Sequence, residues 1–237
     1  SIRDIEEIKG VEKKDSGDIY IGAGTVFSHI TADPVIQECI PVLGEAVDQV
    51  GGPQIRNIGT IGGNICNGAV SADSVPTVFS YNALLKIANA GGGRTVPVRE
   101  FYLGPGCVDL HPGEVLTHVI IPRAEYEGYH GHYIKYSMRN AMDIATLSCS
   151  VVSRIDSAKN ILEDVRITFG VAAPIPYRCV ETEELLKGQK PGEELYQKLE
   201  DSIRKEIHPR DSWRASRDFR LQISGEIARR ALIQTVK

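Results

Sequence analysis

The chain has 237 residues, 42% hydrophobic and 24% charged, which allows a real core and two compact domains and argues against long disorder. A formal net charge of −4 gives no support to a nucleic-acid or anionic-membrane partner. No apolar run reaches the roughly 18 residues of a membrane span, and the opening Ser1-Ile-Arg-Asp-Ile-Glu-Glu-Ile-Lys lacks a signal-peptide core, so a cytoplasmic placement is expected.

In chain order, Asp18 to Gly24 reads as a short strand ending in a glycine turn. One or two short helices follow, from Ser28 to about Ile40, and a further helix runs from Pro41 to Val50, stopped by Gly51-Gly52-Pro53. Residues 58–76 are too rich in glycine, asparagine and small side chains to suggest a plain element. Ala83–Ala88 and Arg94–Val98 read as paired strands around Gly91-Gly92-Gly93, and Val115–Ile121 as another strand closed by Pro122. Residues 123–131 are polar and contain glycine, as a linker would. Beyond them His132–Met138, Leu147–Ile155 and Asp164–Val171 read as three strands. In the last, Val165, Ile167, Phe169 and Val171 share one face, with Arg166 and Thr168 on the other. Helical patterns follow at Thr182–Lys187, Glu193–Glu206 and Arg217–Val236. Strands first and helices after them predict an α+β second domain.

The cysteines (Cys39, Cys66, Cys107, Cys149, Cys179) have no CxxC spacing, so they read as reduced thiols and not as zinc or iron–sulfur ligands. The chemistry concentrates between Pro53 and Pro76. In Thr60-Ile61-Gly62-Gly63-Asn64, paired glycines permit positive φ and close backbone approach to a ligand, and successive N–H groups in such a turn form an anion-binding concavity. Thr60 and Asn64 add a hydroxyl and an amide. Asp73 is an acceptor suited to sugar or ribityl hydroxyls, and Ile61 and Ile65 offer apolar surface to a flat ring. The residues alone leave a second reading open: Gly62-Gly63 as a tight turn capped by Asn64, with Asp73 the N-cap of the next helix. No GxxxxGK[ST] loop occurs, and Gly22-Ala-Gly24 lacks the third glycine of a dinucleotide fingerprint.

The stretch RNIGTIGGNICNGAVSADSVP (56–76) resembles the second FAD-contacting segment of the molybdenum hydroxylase flavoproteins, a family that includes xanthine dehydrogenase and carbon monoxide dehydrogenase medium subunits. Further matches run in order: IGAGTVFSHI (21–30), GPG (104–106), GEVLTHVIIP (113–122), KYSMRNAMDIATLSC (135–149), FGVAAPIPYRC (169–179) and PRDSWRASRDFRL (209–221). The last two favour the bacterial three-subunit xanthine dehydrogenase type. The resemblance implies that Thr60, Gly62, Gly63 and Asn64 hold the FAD pyrophosphate, with Ile58, Ile61 and Ile65 beside them. Asp73 would meet FAD hydroxyls, and Leu116 would line the cofactor. Lys135 would approach the flavin from the second domain and tune the ring, a use suited to a point charge. On the residues alone, Lys135 also reads as a surface lysine at a strand end. The loop Arg139–Ile144 corresponds to a mobile segment that tunes access of NAD in relatives.

The implied architecture is a FAD-binding domain of the vanillyl-alcohol-oxidase/molybdenum-hydroxylase kind over 1–122, a linker at 123–131, and a second domain over 132–237 with a three-stranded antiparallel sheet and helices. Ser1 onward matches the family only after a βαβ-like portion with a Gly-Gly-Thr-type loop, so the first part of the flavin domain is expected to be missing from this chain. The implied function is electron transfer from a 2Fe-2S subunit through FAD to NAD+, with a purine hydroxylated on a molybdenum-cofactor subunit. A flavin-free scaffold subunit is the reading from another class. Nicotinate, carbon monoxide or an aldehyde are the alternative substrates of the complex.

Overall fold

The computed structural model describes residues 2–236; Ser1 and Lys237, the outer limits of the two expected domains, lie outside the described residues. After a 3-10 turn at Glu6–Ile8 come strands β1 (Val11–Lys13) and β2 (Ile19–Gly22), then helices α1 (Phe27–Ala32), α2 (Pro34–Cys39) and α3 (Pro41–Asp48). Local chemistry sets these boundaries. Pro34 and Pro41 occupy first helical turns, where a missing N–H costs nothing. Asp33 caps α2 by accepting from the N–H groups of Val35 (2.9 Å) and Ile36 (3.3 Å).

Residues 58–76 depart from expectation. A turn of helix, α4 (Pro53–Arg56), is followed by α5 (Ile61–Cys66) and α6 (Ser74–Ser80). Glycine costs a helix about 1 kcal/mol relative to alanine, yet Thr60 caps α5 by accepting from the Gly63 N–H at 3.1 Å. Ile61 and Ile65, spaced i,i+4, are both fully buried. Burial therefore overrides propensity here.

The hairpin β3 (Leu84–Asn89) and β4 (Gly92–Pro97) leads through α7 (Val98–Phe101), β5 (Tyr102–Gly104) and β6 (Cys107–Val108) to β7 (Val115–Ile121). Strand β7 inserts between β2 and β3, giving an antiparallel sheet of order β1-β2-β7-β3-β4. Residues 123–131 contain α8 (Arg123–Tyr126), whose Tyr126 is buried and donates its hydroxyl proton to the Gly17 carbonyl at 2.6 Å.

Strands β8 (His130–Tyr136), β9 (Leu147–Asp156) and β10 (Ile161–Gly170) then pair antiparallel. A short β11 (Tyr177–Arg178) adds to β10, so this sheet has four strands where three were expected. Helices α9 (Val180–Leu186), α10 (Glu193–Glu206) and α11 (Arg217–Thr235) complete the chain. Leu147, Cys149 and Val151 of β9 and Val165, Ile167 and Phe169 of β10 share a core with Leu195, Leu199, Ile203, Ile227 and Leu232. Arg166 and Thr168 do face the other way, but that side is not solvent. It meets α6 and α8: Ser80 Oγ donates to Thr168 Oγ1 at 3.0 Å, and Arg166 pairs with Glu125 at 2.8 Å. Strand β9 accordingly has a core on each face, with Val152 in the first and Val151 in the second. Gly131 permits the same close approach, since an added Cβ would lie 2.6 Å from Val42 Cγ1 of α3. Among the described residues no helix is long and apolar enough to cross a membrane.

Candidate functional site

A cleft of about 1010 Å3 opens between the 2–10 segment, the turn after β2, the start of α5 and the beginning of β7. It brings together Ile58, Thr60, Gly62, Gly63 and Leu116 from the candidate set, and adds Thr25, His29 and Asn57. Its volume stands at the upper end of the range for small-molecule and cofactor sites, about 300–1,000 Å3. Ile58 is 65% exposed at this cleft, an uncovered apolar side chain that a flat ring would shield. Burial pushes the Cys66 thiol up to about 11, so this cleft residue is a neutral thiol and not a nucleophile at neutral pH. Arg94, bonded to Glu114 at 2.8 and 2.9 Å, holds that cleft carboxyl down to about 2.

The Gly62-Gly63 turn differs from the form expected. Neither glycine has positive φ; both sit in the helical backbone of α5. The leading N–H groups of α5 are already used inside the chain: Ile61 donates to the Thr25 carbonyl (3.1 Å), Gly62 to that of Ala23 (2.9 Å), and Gly63 to Thr60 Oγ1. The helix start is docked on Ala23–Thr25, and that docking is what glycine makes possible. A Cβ at Gly62 would lie 2.5 Å from Ala23 Cβ and 2.7 Å from its carbonyl oxygen. Thr60 Oγ1, having accepted one bond, retains its own proton to donate. Polar donors for a diphosphate in this cleft are therefore side chains, Thr60, Asn57 and Lys9 among them, since the N–H groups of Gly24 and Gly63 donate to the Ile8 carbonyl and to Thr60 Oγ1. With Leu116 and Ile58 as apolar wall, the residues fit a flavin dinucleotide.

The remaining candidates lie elsewhere. Ile61 and Ile65 face the core with no exposed surface. Asn64 Oδ1 accepts from Ser74 Oγ at 2.7 Å and ties α5 to α6. Asp73 is 6% exposed, and its carboxylate is engaged on both oxygens: Tyr133 donates to Oδ1 and Lys135 Nζ to Oδ2, each at 2.8 Å. Asp73 stands at the N-cap position of α6, but its side chain makes no capping bond. Burial lifts its carboxyl above the usual range, against the pull of Lys135 and Tyr133. Lys135 is no surface lysine. Its side chain is 6% exposed, and Nζ also donates to the Gln49 carbonyl at 2.9 Å. It lines a second cleft of about 460 Å3 with Gln49, Arg56 and the 139–143 loop. Tyr133 was not singled out from the sequence, yet it stands two residues before Lys135 on a strand and so shares its face. That period was the available signal.

The family model described as the FAD binding domain in molybdopterin dehydrogenase matches residues 1–124, and the CO dehydrogenase flavoprotein C-terminal domain matches residues 132–235. The chain is 37% identical to the putative xanthine dehydrogenase FAD-binding subunit of Escherichia coli, over 99% of this chain and 80% of that one. It is 31% identical to the carbon monoxide dehydrogenase medium chain of Hydrogenophaga pseudoflava, over 98% of this chain and 79% of that one. The solved carbon monoxide dehydrogenase from H. pseudoflava, in a form lacking the Mo-pyranopterin moiety, superimposes with a TM-score of 0.91. It is 29% identical and covers 98% of this chain and 79% of that one. The chain therefore belongs to the molybdenum hydroxylase flavoproteins and is an FAD-binding oxidoreductase subunit of that family.

Proposed function

We propose that this subunit carries electrons from a 2Fe-2S partner through FAD to NAD+, in a complex whose molybdenum subunit hydroxylates a purine of the xanthine class. The identity of 37% to a putative xanthine dehydrogenase FAD-binding subunit, against 31% to a carbon monoxide dehydrogenase medium chain and 28% to a glyceraldehyde dehydrogenase medium chain, supports the substrate class. The observation that carries the electron-transfer role is the buried Lys135–Asp73 pair, whose lysine lines the second cleft. FAD, when bound, supplies a two-electron store that gives up one hydride at a time.

The chain's own residues bind and orient. Thr60 and Asn57 donate to the diphosphate, Ile58 and Leu116 exclude water from the apolar part, and Asn64 braces α5 through Ser74. Lys135, fixed by Asp73 and Gln49, holds a positive charge in a site nearly closed to water, where it stabilises developing negative charge far better than in solvent. Residues 1–122 would form the cofactor part and 132–237 the part that presents Lys135.

Two variants separate these roles. Asn64→Ala leaves the buried Ser74 hydroxyl without its acceptor, at a cost of about 1–3 kcal/mol. A lower flavin-to-protein ratio and a lower melting point are expected; unchanged values would remove Asn64 from the site. Lys135→Met is expected to keep flavin but slow NAD+ reduction by about tenfold or more, and an unaltered rate would exclude the electrostatic role. The whole reading is tested with the assembled complex, xanthine and NAD+. NADH formation supports it. Turnover with a dye but not NAD+ removes the acceptor, and turnover only with nicotinate, carbon monoxide or an aldehyde removes the substrate class.

A further inference from the structure

A third cavity, of about 340 Å3, lies where the 209–216 segment meets residues 144–145 and Val70-Ser71. Three guanidinium groups surround it: Arg210, Arg214 and Arg220. Among the described residues none of the three has a carboxylate within ion-pair distance, whereas most other arginines of the chain are paired. Arg220 is 2% exposed and donates only to neutral acceptors: the carbonyls of Thr146 (3.0 Å), Ala215 (3.1 Å) and Arg210, and Ser212 Oγ (2.7 Å). These bonds satisfy its protons without a carboxylate at ion-pair distance; Asp211, which accepts from the Arg217 N–H at 2.7 Å, is the nearby opposite charge. Burial, and after it Arg210 and Arg214, lower its proton affinity against the opposing pull of Asp211.

Arg214 stacks on the Trp213 ring at 4.1 Å, which holds its plane in place. Its Nε is buried with no hydrogen-bond partner, although a buried donor without an acceptor costs about 1–3 kcal/mol. Ser212 Oγ accepts from Arg220 and from the Arg214 N–H, and keeps its own proton to give. Val171, on the wall, is a β-branched residue at φ 65°, a strained backbone of the kind that persists at functional sites. A cavity lined by three guanidinium groups, with an orphan donor and no carboxylate among its lining residues, lacks one component.

We propose that this cavity is a binding site for a phosphate-type oxyanion, held by Arg214 and Arg210 and bonded by Ser212. The site shares no lining residue with the flavin cleft and does not depend on the redox reading. Free phosphate and the phosphate of a nucleotide share the chemistry. Trp213 is the chain's single tryptophan, so its emission reports on this site alone. The full chain is titrated with potassium phosphate and separately with ADP, up to ~10 mM, at ionic strength held constant with KCl. A saturable change in Trp213 emission is expected, with affinity about tenfold weaker in Arg214→Gln. Arg210→Gln, at an exposed position, gives a second weakened variant should Arg214→Gln fold poorly. Tighter saturation by ADP would assign the anion to a nucleotide, and equal or tighter saturation by phosphate to the free ion. No saturable change with either probe, or a change retained in both variants, would overturn the proposal.

Discussion

Gly62→Ala is expected to lower both stability and flavin content sharply. Elsewhere in a helix this substitution stabilises by about 0.4–1 kcal/mol, because alanine restricts the unfolded chain. Here the new methyl would lie 2.5 Å from Ala23 Cβ, 2.7 Å from Ala23 O and 3.0 Å from Ala23 Cα. Ala23 cannot retreat, since its own N–H donates to the Thr117 carbonyl of β7 at 2.8 Å. The helix start must move instead, breaking the Gly62 N–H bond to Ala23 and shifting Thr60 in the cleft wall. Overpacking costs typically about 1–3 kcal/mol, so the clash outweighs the entropic gain. Thermal melting and the visible flavin absorbance of purified protein measure the two effects. Adding Ala23→Gly removes one of the clashing methyls and should recover part of the loss. If Gly62→Ala alone retained flavin and melting point, the docking of α5 on Ala23 would not be what shapes the cleft.

The second large effect is at Arg166. Its buried guanidinium pairs with Glu125 (2.8 Å) and Asp164 (3.1 Å) and donates to the Tyr129 hydroxyl at 2.8 Å, stacked on that ring. Arg166→Met keeps much of the volume but leaves Glu125 without its cation, and Asp164 with Lys187 alone at 3.3 Å, in a partly dry interface. Removing one partner of such a group costs about 3–5 kcal/mol. For a chain of this size the melting point should fall by on the order of 10 °C. Tyr129→Phe alone removes only the hydroxyl contacts to Arg166 and Asp164, and the double variant should destabilise by less than the sum. A fall of only a degree or two in Arg166→Met would mean that this interface is carried by packing and not by charge.

These residues also show what the sequence could and could not tell. Strand β7 and helix α10 are legible almost to the residue, because Val115–Ile121 and Glu193–Glu206 combine a clear pattern with plain end signals. Helix α5 is not legible by propensity, since two adjacent glycines argue against it. The signal was the i,i+4 spacing of Ile61 and Ile65 after a capping Thr60. Composition read as a ligand turn, while the decisive fact was tertiary: the chain needs glycine there to lay a helix on Ala23. Arg166 is a similar case. Alternation assigns its face correctly, but only the fold reveals that α6 and α8 cover that face. The ring-flanking use of Ile61 and Ile65 and the hydroxyl-binding use of Asp73 follow from residue type and spacing, and the resemblance points the same way for Ile65 and Asp73. The structure puts the first two in the core and engages the third with Tyr133 and Lys135.

Strand β9 has one further consequence. Its consecutive residues Val151 and Val152 belong to different cores, and its length is buried on both faces from Leu147 to Ser153. It is a party wall between two rooms, and neither room stands if the wall is given to the other. Separately expressed halves would leave the first without the covering for α6 and Tyr81, and the second with Ser148, Ser150 and Thr168 bare to water. The two parts are distinguishable in sequence and in topology, but they share the masonry that makes each of them a folded body.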